Sequence, residues 1–83
     1  MDDVDAKLGR AIDALLDDRR AGVSICPSEA ARAVDPEGWR DLMPAARAVA
    51  GRLAAEGSVE VTQRGEVVDV ASARGPVRVR RPG

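Results

Sequence analysis

Residues 26–44 read CPSEAARAVDPEGWRDLMP, and residues 45–65 continue AARAVAGRLAAEGSVEVTQRG. Pro27 suits the first position of a helix, where its missing N–H costs nothing. Glu29 is spaced to reach back to the backbone N–H of Cys26, as in a capping box. That helix, 27–34, ends before Asp35-Pro36, because the residue preceding proline is driven out of helical geometry. Pro36-Glu37-Gly38 makes a turn and Trp39 to Leu42 one helical turn. A further helix over 43–56 places Leu42, Ala45, Ala46, Val49 and Leu53 on one face, with Arg47, Gly51 and Ala54 opposite. Gly57 stops it. Val59 and Val61 then alternate with Ser58, Glu60 and Thr62 as in a half-buried strand. Arg64-Gly65 suits a type I turn with a bulge, and Val67-Val68-Asp69-Val70 returns. Helix, turn, helix and hairpin in this order describe an α+β fold, the winged helix-turn-helix.

Working outward, residues 3–20 form the expected first helix, with Val4, Leu8, Ile12, Leu15 and Leu16 on one stripe. Asp2 or Asp3 can cap its start, Arg19 and Arg20 suit its end, and Gly22 is a natural stop. Val23-Ser24-Ile25 is expected as a brief first strand pairing with the wing. Ala71 to Pro76 reads as loop, and Val77-Arg78-Val79-Arg80 as a last alternating segment with the valines inward. One domain is expected over residues 1–83, with its core at about 4–80. The expected core is Leu8, Ile12, Leu15, Leu16, Ile25, Ala30, Val34, Trp39, Leu42, Val49, Leu53, Val59 and Val61. With no Phe or Tyr and a single Trp in 83 residues, Trp39 is read as the large plug of that core.

Composition excludes more than it assigns. The chain has no His and no Tyr, which removes the usual groups for proton transfer near neutral pH. Cys26 has no His partner, and such a cysteine is more often a small inert hydrophobe than a nucleophile. No acidic cluster has the look of a metal site, no Gly-rich phosphate loop is present, and no aromatic platform exists for stacking bases. A non-catalytic protein without cofactor or metal is expected. A lone cysteine argues against a disulfide framework. The acidic start (Met1-Asp2-Asp3-Val4-Asp5) is unlike a signal peptide, and no stretch approaches a membrane span. The expected setting is therefore cytoplasmic.

Net charge is −1, but it is unevenly spread: residues 1–18 hold six Asp against Lys7 and Arg10, and residues 64–83 hold five Arg against Glu66 and Asp69. A chain with an acidic and a basic end can present a basic face. The candidate contacts to nucleic acid are Arg47 and Gly51 on the outward face of the third helix, and Arg64, Arg74, Arg78 and Arg80 around the wing. In that reading Arg47 reaches a phosphate or a guanine edge, Gly51 allows a partner to approach closely, and the other arginines lie along phosphates. Plainer readings stand beside these. Gly51 can be compositional drift, and the wing arginines can pair with Glu60, Glu66 or Asp69. The expected partner is double-stranded DNA; the alternative is a protein–protein interaction domain that uses the same fold without DNA.

The motifs Cys26-Pro27-Ser28-Glu29-Ala30-Ala31-Arg32, Trp39-Arg40-Asp41-Leu42-Met43-Pro44, Thr62-Gln63-Arg64-Gly65 and Arg74-Gly75-Pro76-Val77-Arg78 occur in a fixed order. With them the chain resembles a small bacterial winged-helix domain family of unknown function, known for a Cys-Pro-Ser-Glu-x-Ala-Arg motif and a late Gly-Pro-x-Arg motif. The resemblance runs over about residues 8–81. It implies the fold and brings no activity with it.

Overall fold

The computed structural model of the chain describes residues 3–18 and 23–82. In chain order the elements are α1 (Asp3–Asp17), α2 (Pro27–Val34), a 3₁₀ turn (Trp39–Leu42), α3 (Met43–Ala55), β1 (Glu60–Gln63), β2 (Glu66–Val67) and β3 (Arg78–Arg80). Three helices thus precede a three-stranded antiparallel sheet of order β2-β1-β3, an α+β arrangement with the shape of a winged helix. Of the expected caps of the first helix, Asp3 opens α1, while Asp2, Arg19, Arg20 and Gly22 lie outside the described residues. No helix among the described residues is long and apolar enough to cross a membrane.

Local chemistry sets the helix limits. Glu29 Oε2 accepts the backbone N–H of Cys26 at 2.8 Å at the head of α2, and Asp35 is extended (φ −143°) ahead of Pro36. The Asp35 carboxylate then accepts the N–H groups of Glu37 and Gly38, which makes the turn. α3 closes in a Schellman motif: Gly57 has φ +84°, Ser58 N–H bonds to Leu53 O, and Gly57 N–H bonds to Ala54 O.

The core is aliphatic and its helix contacts are small. Leu8, Ile12 and Leu16 of α1 meet Ala30 and Ala31 of α2, and Ala46, Val49 and Ala50 of α3, over a floor of Ile25, Val59, Val61, Val77 and Val79. The alanines were largely absent from the expected core, and the correction follows from them: without bulky side chains between them the helices approach closely. Leu15, Val34, Trp39, Leu42 and Leu53 are consequently held at the rim, partly buried. Trp39 is not a central plug. Its indole packs on the core edge with the Cζ atoms of Arg32 and Arg40 at 4.2 and 4.6 Å from the ring centroid.

Three strand expectations also change. The brief first strand shrinks to one bridge, Ile25 with Val79, because α2 is capped immediately afterwards at Cys26. Arg64 and Gly65 both have positive φ, +55° and +84°, so the hairpin closes through a two-residue type I′ turn and not a type I turn with a bulge. The return strand is only Glu66–Val67. Beyond it Asp69 redirects the chain, its Oδ1 accepting Ala71 N–H at 3.0 Å and its carbonyl accepting the N–H groups of Ser72 and Ala73.

Candidate nucleic-acid interface

That redirected segment, residues 69–76, runs across α3 as a strap. Val70 crosses where a side chain on position 51 would stand: a Cβ added to Gly51 would lie 2.6 Å from Val70 Cγ1. Gly51 is therefore explained by packing within the chain, and neither close approach by a partner nor compositional drift is needed to account for it. Gly→Ala in a helix ordinarily gains about 1 kcal/mol. At position 51 the overlap with Val70 should cost more than that gain, so Gly51→Ala is expected to lower the urea midpoint, with loss of the native Val70 methyl shifts as the local signature.

Arg47 is half-buried, and its guanidinium points into the strap: Nη1 donates to Gly75 O at 3.1 Å and Nη2 to Ala73 O at 3.0 Å. From β1, the Gln63 amide donates through Nε2 to Arg74 O and, at 3.2 Å, to Pro76 O. Four successive carbonyls, 73 to 76, are thus held alternately by Arg47 and Gln63. The outward face of α3 lies beneath this strap, leaving an open groove of about 450 Å³ between Pro44, Ala48 and Gly51 on one side and Asp69 to Ala71 on the other. The sequence places Arg47 on the outward face of this helix, reaching for a phosphate or a guanine edge. The structure joins it to the wing instead.

The β3 arginines have separate partners. Arg78 is exposed, and it clamps the entrance to α2: Nε donates to Ser24 Oγ at 2.9 Å, Nη2 to Ser24 O at 2.8 Å, and Nη1 lies 2.8 Å from Cys26 Sγ. Arg80 pairs with Glu60, its cross-strand neighbour, at 2.9 Å. Arg81 reaches Asp17 at 2.8 Å and Asp13 at 3.2 Å on α1. The hydrogen bond to Asp17 raises its pKa above the ordinary arginine value, so it stays charged throughout the accessible pH range. The basic end of the sequence is therefore folded partly onto the acidic end, with Arg52 of α3 near Asp5 at 3.8 Å completing the pattern.

Arg64 and Arg74 remain. Both are exposed, and neither side chain has an ion pair or hydrogen bond among the described residues. They line one open concavity of about 910 Å³ at the wing tip, with Gln63, Glu66, Gly75 and Pro76. Arg64 occupies the left-handed conformation that Asn or Gly takes at less cost, roughly 1 kcal/mol less. Of the six candidate residues, the structure brings Arg47, Arg64 and Arg74 together around the strap, while Arg78 and Arg80 lie on the sheet with other partners. Sequence reasoning missed Gln63 and Ser24. Neither carries a local signal, since each acts on backbone or side chains far along the chain.

Among the described residues no group of three or more His, Cys, Asp or Glu side chains is gathered as for a metal ion. A comparison with curated proteins finds no match. A family model does match, over residues 5–82 of the 83. The chain accordingly belongs to the family described as protein of unknown function, DUF3253.

Proposed function

We propose that this chain is a non-catalytic, cytoplasmic bacterial module that binds double-stranded DNA by laying its wing along the phosphate backbone, with α3 kept out of the groove. One observation carries the reading: Arg64 and Arg74, with no ion pair or hydrogen bond among the described residues, line the same concavity at the wing tip, one of them on a backbone position that disfavours it. Strain of that kind is commonly retained where a side chain is used. The strap over α3 takes base reading away from Arg47, so contact would be positional and largely independent of sequence.

Electrophoretic titration against duplex DNA at low and moderate salt tests this. Binding should weaken steeply with salt, and changing Arg64 and Arg74 together to Ala should weaken it about equally on unrelated sequences, lowering the log–log salt slope by about two. The second reading, a protein-interaction domain, draws on the covered face of α3 and the neutralised Arg80–Glu60 pair. Absence of any retarded complex at low salt would put that reading first.

A further inference from the structure

We propose that the wing-tip concavity is a defined site for a single phosphate group, held by the guanidiniums of Arg64 and Arg74 with the backbone N–H of Arg74, which points away from Arg47, as the strap's own donor. This deepens the wing reading and rests on it for the source of the phosphate, a DNA backbone, but the site has its own chemistry. The argument starts from the strap. The carbonyls of Ala73, Arg74, Gly75 and Pro76 each accept a bond from Arg47 or Gln63. The N–H groups of Arg74 and Gly75 have no partner among the described residues, and Pro76 has no N–H to offer. The strap's acceptors are thus occupied while its donors are free.

Arg64 and Arg74, whose guanidiniums have no ion pair or hydrogen bond among the described residues, line the same concavity of about 910 Å³ as Gly75 and Pro76. Donors without acceptors suit an oxyanion, and a tetrahedral phosphate offers several oxygens to match two guanidiniums and a backbone amide. The strap is fixed beforehand, since Arg47 reaches it from α3 and Gln63 from β1, so little order is lost on binding. One group works against the site: Glu66, exposed, lines the same concavity. Its carboxylate sets a direction for the test, because neutralising it should strengthen binding.

The experiment is an amide NMR titration of the whole chain with inorganic phosphate, matched against sodium chloride of equal ionic strength. Saturable shifts of the Arg74 amide are expected with phosphate and not with chloride. Arg74→Ala should weaken phosphate about tenfold, and Glu66→Gln should tighten it about threefold. Arg64→Asn should also weaken it while raising the melting temperature, because Asn relieves the left-handed position; a merely structural Arg64 would not give these opposite effects. Equal shifts with chloride, or an unmoved Arg74 amide in a chain that still retards DNA, would overturn the site and leave the wing reading standing. Saturable phosphate shifts in a chain that never retards DNA would keep the site and remove DNA as the source.

Discussion

Ile12→Ala should leave the chain substantially unfolded. Ile12 is fully buried on α1 within an all-aliphatic core. Truncating a buried Ile typically costs about 2–5 kcal/mol, and an 83-residue chain lies only just above the size at which a single core rarely supplies more than about 3–5 kcal/mol. Relaxation offers little relief. The helices already meet through Ala30, Ala31, Ala46 and Ala50, so they cannot move much closer to fill the void. Urea titration followed by far-ultraviolet circular dichroism checks this, and a midpoint near that of the parent chain would contradict the account of the packing.

The second large effect concerns Arg47. Its two bonds to strap carbonyls join α3 to the wing across 26 and 28 residues of chain. Arg47→Ala is expected to cost about 2 kcal/mol, within the range for hydrogen bonds to a charged donor and discounted for partial exposure. Arg47→Lys should not restore it, because an ammonium lacks the planar fork that meets Ala73 O and Gly75 O together. Chemical shifts of residues 73–76 should move in both variants. An Arg47 that served only to contact DNA would leave stability and those shifts unchanged on substitution.

What was readable in the sequence was what short-range chemistry decides. α2 is set by Pro27, Glu29 and Pro36, and α3 by Pro44 and Gly57, all acting within a few residues of their targets. The winged-helix order followed from those marks. The strap was not readable, because it is made by Arg47 and Gln63 reaching carbonyls far along the chain, and because Asp69 ends β-pairing two residues before the alternating valines do. Charge misled for a related reason. Summing residues by segment separated an acidic start from a basic end, yet Arg81 lies against Asp13 and Asp17. The candidate list held Arg64 and Arg74, which have no ion pair or hydrogen bond among the described residues, but nothing local distinguished them from Arg78 and Arg80, whose partners are supplied by the fold.

Trp39 is the chain's only aromatic residue, so it is also its sole intrinsic fluorophore. The indole sits at the rim between α2 and α3 under the guanidiniums of Arg32 and Arg40, away from the residues lining the wing tip. Its emission therefore describes the environment of that helix junction and is blind to events at the sheet. Loss of the wing, or occupancy of the site beside Arg64 and Arg74, leaves the optical signal in place as long as the junction holds.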